Sequence, residues 1–146
     1  MDITKDIIAS HNDQQKFSEL ECSRRWLAHY NALRQTDYCC LKTNYFQSPV
    51  DIYAYPVNEA GRPLRLQLTK SRFSLLSASI KRKKGLYSPE QKADLFLIID
   101  FQEIIPLEKI IAWRTKHLSL LTVSGFKEIW LVGVGDLVVQ LWPVLN

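Results

Sequence analysis

The segment 93–101, ADLFLIIDF, limits the possible folds of this 146-residue chain more than any other stretch. Five large apolar residues follow one another without interruption, with Asp94 before the run and Asp100 after it. A run of strand length without polar alternation is typical of a strand that is covered on both faces. We therefore predict a central buried strand, and we interpret the two aspartates as polar residues that end it rather than as ligands.

The neighbouring segments predict the elements around this strand. Apolar residues at helical spacing predict helices, and period-2 alternation, as in LRLQLTK, predicts strands. The predicted helices cover 13–35, 72–84 and 107–123, and the predicted strands cover 38–46, 50–56, 64–70, 93–101 and a terminal hairpin that turns near Gly135-Asp136. The order is α-β-β-β-α-β followed by an α-β-β extension, which predicts a single domain over 1–146 in the α/β class, with a mixed sheet.

Composition excludes several classes of protein. Apolar residues make up 47% of the chain and charged residues 23%, a balance typical of a folded globular domain rather than a disordered one. No apolar stretch approaches the roughly 20 residues that span a bilayer, so we expect a cytoplasmic protein without a membrane partner. The three cysteines and three histidines lack the spacing of a zinc site or a disulfide framework.

Basic residues are concentrated in one segment of the chain. Residues 60–89 carry eight lysines and arginines and no acidic residue, whereas the rest of the chain holds 11 basic and 15 acidic residues. The eight are Arg62, Arg65, Lys70, Arg72, Lys81, Arg82, Lys83 and Lys84. Such a concentration of one charge favours a polyanionic partner, such as nucleic acid. The alternative is a solvated basic face that acidic residues from elsewhere balance in space.

Three short features of the sequence lie on the first predicted helix and on the second and third predicted strands. Pro49-Val50-Asp51 opens the second predicted strand, Gln67-Leu68-Thr69-Lys70 ends the third, and Glu19 lies in the first predicted helix. Together with the predicted order of elements, they resemble the core of the PD-(D/E)XK nuclease superfamily. Its members carry a Pro-Asp or similar pair on the second strand and (Asp/Glu)-x-Lys on the third, often with a glutamate from the first helix. The resemblance implies a restriction-endonuclease-like fold.

The resemblance also implies a set of functional residues. Asp51 and Gln67 would hold Mg²⁺ or Mn²⁺, and Lys70 and Glu19 would complete the catalytic site. Such an ion takes oxygen ligands and acidifies a water molecule, while a lysine stabilises the charge that develops on the phosphate. We expect binding of DNA rather than RNA through the other seven basic residues of the segment 60–89. Because nucleases of this size usually dimerise, we also expect a homodimer or another homo-oligomer.

The chain departs from the family motif at two positions. Gln67 stands where the family has a carboxylate, and Thr69, rather than Lys70, shares its face of the strand unless a bulge rotates the chain. Family members with glutamine at this position remain nucleases. Two functions are therefore predicted: a nucleic-acid-binding domain with metal-dependent DNA cleavage, or a non-catalytic module of the same fold that binds a protein through helix 107–123 and the terminal hairpin. A structural role for the motif residues is a third alternative.

Overall fold

The protein is built around one six-stranded sheet. The computed structural model describes residues 20–43, 51–57 and 61–144. The strands are β1 Tyr38–Thr43, β2 Asp51–Pro56, β3 Leu64–Lys70, β4 Leu95–Asp100, β5 Glu128–Val132 and β6 Val138–Trp142. The helices are α1 over 20–34, α2 Leu76–Lys84, α3 Pro89–Ala93, α4 Leu107–Lys116 and α5 Leu118–Val123, with a turn of 3₁₀-helix at Phe73–Leu75.

Strand direction divides the sheet into two parts. The strands follow one another across the sheet in chain order. The first three form an antiparallel meander, β3, β4 and β5 run parallel, and β6 returns antiparallel to β5. Parallel neighbours require a crossover, which α2 with α3 and α4 with α5 supply. The predicted α/β class with a mixed sheet is confirmed.

The strand β4 lies in the middle of the parallel part and is buried on both faces, as its apolar run predicts. All six of its residues are buried. Phe96 and Ile98 pack in a cluster with Trp26 of α1, whereas Leu97 and Ile99 pack in a second cluster with residues of α2, α4 and α5. Burial of this apolar surface stabilises the fold by about 25 cal/mol per Å². The sheet therefore has one helical layer on each side.

The helices differ from the predictions in two places. The predicted helix 107–123 is wrong as a single element, because the chain leaves helical geometry at His117 (φ −107°, ψ 23°) before α5 begins. The sequence pattern does not predict α3, which begins at a capping box between Ser88 and Gln91. Residues 13–19 of the first predicted helix lie outside the described residues. Within the described ranges, no helix is long and apolar enough to cross a membrane.

Helix α1 is connected to the terminal hairpin at two points. The guanidinium of Arg25 donates a hydrogen bond to the carbonyl oxygen of Gly135, in the β5–β6 turn. In the last turn of the helix, Arg34 forms an ion pair of 3.1 Å with the buried carboxylate of Glu128, the first residue of β5. These contacts join segments that are far apart in the sequence and hold α1 across the sheet.

Glycines shape the hairpin at two positions. Gly135 has φ +72°, a conformation that residues with a side chain rarely adopt, so the predicted turn near Gly135 is confirmed. Gly133 has no space for a side chain, because a Cβ there would lie 2.8 Å from Cδ2 of Leu137 and 3.1 Å from the ring of Phe101. The close approach at Gly133 lets the hairpin pack against the residue that follows β4.

Candidate functional site

The side chains of β3 alternate between the two faces of the sheet. Leu64 and Leu66 belong to the cluster around α1, whereas Gln67 contacts Tyr87, which belongs to the opposite cluster. The register of β3 with both neighbouring strands continues without a bulge. Lys70 therefore lies on the α1 side with Leu66, and Gln67 lies on the other side. These two residues of the family motif do not converge on one site.

Gln67 is held by hydrogen bonds inside the protein. Its side chain is buried, its Oε1 accepts a hydrogen bond from the phenol of Tyr87, and its Nε2 donates to the carbonyl oxygen of Leu68 at 2.8 Å. The Cα of Asp51 is paired with that of Gln67 in the β2–β3 ladder, so the register places the two predicted metal ligands on adjacent strands. Glu19 and the side chain of Asp51 lie outside the described part of the chain.

Lys70 lies next to a residue that the sequence pattern did not assign to the site. Its Cα is paired with that of Asp100 in the last pair of the β3–β4 ladder, at the carboxyl ends of two parallel strands. The side chain of Asp100 is only 6% exposed, which corrects its interpretation as a polar residue that merely ends a strand. The sequence analysis missed this pair because it depends on which strand lies beside β3 in the sheet.

Electrostatic interactions at this edge connect β3 and β4 with α1. Burial raises the pKa of the Asp100 carboxyl above its usual value, while the positive charges of Lys70 and Arg25 and a hydrogen bond from Gln102 act in the opposite direction. Burial, together with the nearby Asp100 carboxylate, raises the pKa of the Cys22 thiol to about 12. Cys22 therefore stays protonated at neutral pH and does not act as a nucleophile.

An open cleft of about 610 Å³ lies at this edge of the sheet. Its lining residues come from the two segments that follow β3 and β4, and they are Lys70, Ser71, Arg72, Leu75, Asp100, Gln102 and Glu103. Two backbone contacts hold these segments together: Ser71 N–H donates to the Asp100 carbonyl at 3.0 Å, and Phe73 N–H donates to Oε2 of Glu103 at 3.2 Å. The carboxyl ends of parallel strands are a common place for ligands to bind.

The cleft has a mixed set of charges. Lys70 and Arg72 supply two exposed cations, and Asp100 and Glu103 supply two carboxylates. In the described ranges, no three histidine, cysteine or acidic side chains are grouped closely enough to hold a metal ion by themselves. The cleft can therefore contribute one or two carboxylate ligands, a number that suits Mg²⁺ when waters and phosphate oxygens complete its coordination.

The basic residues of 60–89 are divided between the two ends of β3. Lys70 and Arg72 lie at its carboxyl end, beside the cleft. Helix α2 leads the chain back towards the start of β4, so its last turn, Lys81–Lys84, lies towards the amino end of the strands. Burial and the adjacent positive charge of Arg82 lower the pKa of Lys83, as expected for a dense group of like charges.

Among the described residues, none in the last turn of α2 takes part in an ion pair. The two ion pairs with both partners in those residues are Arg24–Glu21 and Arg34–Glu128. Neither pair involves 81–84, so none of the acidic side chains described in the structure forms an ion pair with this turn.

Comparisons with known proteins identify no relative of this chain. No family model matches the chain, and no curated protein or solved structure matches it at a significant level. Function is therefore inferred from the residues of the cleft and of the basic surfaces.

Proposed function

We propose that this chain is a nucleic-acid-binding domain with a restriction-endonuclease-like fold, which cleaves DNA with a divalent metal at the cleft between β3 and β4. The fold proposal is supported by the order α1-β1-β2-β3-α2-α3-β4, with an antiparallel meander followed by a parallel strand. The segment from α4 to β6 corresponds to the predicted α-β-β extension.

The proposal of catalysis rests on one observation, the pairing of Lys70 with Asp100 at an open cleft. Phosphodiester hydrolysis needs a group that stabilises negative charge on the phosphate, and an exposed lysine beside a carboxylate provides it. A bound Mg²⁺ or Mn²⁺ would supply an acidified water. The donor set fits such an ion, since Asp100, with Glu103 beside it, would offer carboxylate oxygens.

The proposal of DNA binding rests on the distribution of positive charge. Arg72 lines the cleft, and Lys81–Lys84 form the exposed to half-buried last turn of α2. Contacts from such residues to phosphates supply most of the affinity in non-specific DNA binding. The family motif predicts Asp51 and Gln67 as ligands of a different metal site, with Glu19 as a catalytic residue, and a homo-oligomer remains the expected assembly.

Cleavage assays with matched variants test this proposal. We expect the protein to cut DNA in Mg²⁺ or Mn²⁺ but not in chelator. Lys70→Met and Asp100→Asn should each lose cleavage. Both variants should keep their DNA affinity within about threefold, because one lysine contact contributes little to the total. Lys109→Met, on the exposed side of α4, is the control and should cut normally. An Asp51→Asn variant tests the site that the family motif predicts. Cleavage in chelator, or normal cleavage by both cleft variants, would overturn the assignment.

A non-catalytic interaction module is the second candidate, and two observations favour it. The amide of Gln67 is engaged by Tyr87 on the face away from Lys70, so the family motif is not assembled around the lysine. Apolar side chains are exposed in and just before α4: Ile104 is 88% accessible, and Leu107 and Ile111, four residues apart on the helix, are also exposed. DNA binding without cleavage in either metal would favour this candidate.

A further inference from the structure

One part of the sheet carries aromatic side chains that belong to neither buried cluster. In β2, Ile52 and Ala54 pack in the cluster around α1, and Tyr53 and Tyr55 alternate with them towards the opposite face. Both tyrosines are partly exposed. The described helices on that face pack mainly over β4, β5 and β6, so they do not bury this end of the sheet.

Two basic residues lie on the same face of the sheet as these two rings. Lys42 and Tyr53 are paired across β1 and β2, and Tyr53 and Arg65 are paired across β2 and β3, which forms one row over three strands. The ammonium of the exposed Lys42 lies 5.2 Å from the centroid of the Tyr55 ring. The guanidinium of Arg65 lies 5.7 Å from the centroid of the Tyr87 ring. We call Lys42, Tyr53, Tyr55 and Arg65 the tyrosine face.

The tyrosine face and the basic turn of α2 lie at the same end and on the same face of the sheet. Tyr53 is paired with Arg65, near the amino end of β3, and Tyr55 lies further in the same direction because β2 runs antiparallel to β3. The last turn of α2, Lys81–Lys84, returns to this same end of the sheet, and α2 packs on this same face through Leu76 and Ile80. Aromatic rings and a row of lysines therefore share one side of the protein, away from the cleft.

We propose that the tyrosine face binds single-stranded nucleic acid. Every base has a flat face that can stack on an aromatic ring, and this stacking tolerates any sequence. In a duplex those faces are covered by neighbouring bases, so tyrosines on an open sheet surface select unpaired strands. Lys42 is exposed and can move from the Tyr55 ring to a phosphate when a base takes its place, while Lys81–Lys84 contact the continuing backbone. The inference rests on the proposed nucleic-acid binding but not on cleavage.

The proposal is tested with the full chain, in chelator so that no substrate is cut. Fluorescence anisotropy measures the affinity for labelled oligothymidine and oligouridine of about 12 nucleotides, a length within the range that such surfaces occupy, and for a duplex of equal length. We expect the single strands to bind at least about tenfold more tightly than the duplex, as stacking on two rings provides. Comparison of the DNA and RNA oligomers shows which backbone is preferred.

Two matched double variants separate stacking from charge. Tyr53→Leu with Tyr55→Leu keeps apolar side chains on the strand but removes the rings, and we expect it to lose roughly 20- to 100-fold in affinity for single strands and to bind duplex unchanged. Tyr53→Phe with Tyr55→Phe keeps the rings and should bind like the wild type. Melting temperatures and circular dichroism establish that both variants are folded.

The outcomes distinguish this inference from the proposed function. If the wild type binds duplex as tightly as single strands, or if the folded leucine variant keeps its single-strand affinity, the tyrosine face is not a stacking surface, although nucleic-acid binding stands. If no oligonucleotide binds even at low salt, both this inference and the proposed function are overturned.

Discussion

The phenol of Tyr87 donates a hydrogen bond to the side-chain oxygen of Gln67, 20 residues earlier in the chain. This contact fixes the residue that replaces a carboxylate in the family motif, and it does so on the face opposite Lys70. The glutamine therefore has a structural partner of its own, independent of any metal. Its role can be separated from catalysis by changing the tyrosine alone.

We expect Tyr87→Phe to lower the free energy of unfolding by about 1–3 kcal/mol, because it leaves the buried Oε1 of Gln67 without this donor. Replacing both partners, with Tyr87→Phe and Gln67→Met, should recover part of that loss, since no polar atom is then left unpaired. Urea unfolding of the wild type, the two single variants and the double variant measures the coupling. Strictly additive losses would contradict the importance of this hydrogen bond.

The charge on the last turn of α2 predicts how DNA affinity depends on salt. Replacing Lys81, Arg82, Lys83 and Lys84 with alanine should make the plot of log affinity against log salt less steep by roughly 3 to 4, at about 0.9 for each duplex phosphate that the variant no longer neutralises. Lys109→Ala with Lys116→Ala, on the exposed surface of α4, is the control and should leave the slope unchanged. An unchanged slope in the α2 variant would remove this turn from the interface.

The raised pKa of Asp100 predicts how its removal changes stability with pH. The folded protein binds the proton of the Asp100 carboxyl group more tightly than the unfolded chain does. The stabilisation from this protonated group is therefore fully present below the unfolded pKa of roughly 4 and is lost as the pH rises through the folded pKa. Asp100→Asn, which mimics the neutral acid, should therefore match the wild type in acid and exceed its stability at neutral pH. Unfolding curves over this pH range measure the difference.

Asp94 provides the matched control for that experiment, since it precedes β4 and is exposed. Asp94→Asn should change stability little at any pH, as is usual for surface substitutions. A loss of stability in Asp100→Asn at neutral pH would mean that attraction to Lys70 and Arg25 outweighs burial, and Asp100 would then be a structural ion-pair residue.

The contact at Gly133 predicts a strong local effect of one methyl group. Gly133→Ala would place its Cβ within 2.8 Å of Leu137 and 3.1 Å of the Phe101 ring, so we expect a loss of about 1–3 kcal/mol from overpacking. Gly85→Ala is the control, because its nearest neighbour would be 3.6 Å away and its backbone is helical. Thermal unfolding of both variants tests this, and equal stability of the two would contradict it.

The sequence predicts the strands of this protein better than its site. The run 95–99 identifies β4 because an uninterrupted apolar run of this length is typical of a strand buried on both faces. The alternation of LRLQLTK identifies β3 because its apolar residues repeat with period 2. The break at His117 depends on a local departure from helical geometry that no periodicity reveals. The sequence pattern does not single out Asp100 because its partner, Lys70, is 30 residues away, and only the parallel pairing of β3 with β4 brings them together.

The attachment of α1 to the terminal hairpin means that the α-β-β extension is not an appendage to a self-sufficient core. Trp130 of β5 packs against Trp26 of α1 with ring centroids 6.0 Å apart, and Arg25, which influences the carboxyl group of Asp100, is bonded to the β5–β6 turn. A chain that ended before β5 would lack the contacts that hold α1 in place beside the candidate catalytic residue Lys70. The extension and the strands before it therefore fold as one unit, and removal of the hairpin should also disturb the cleft.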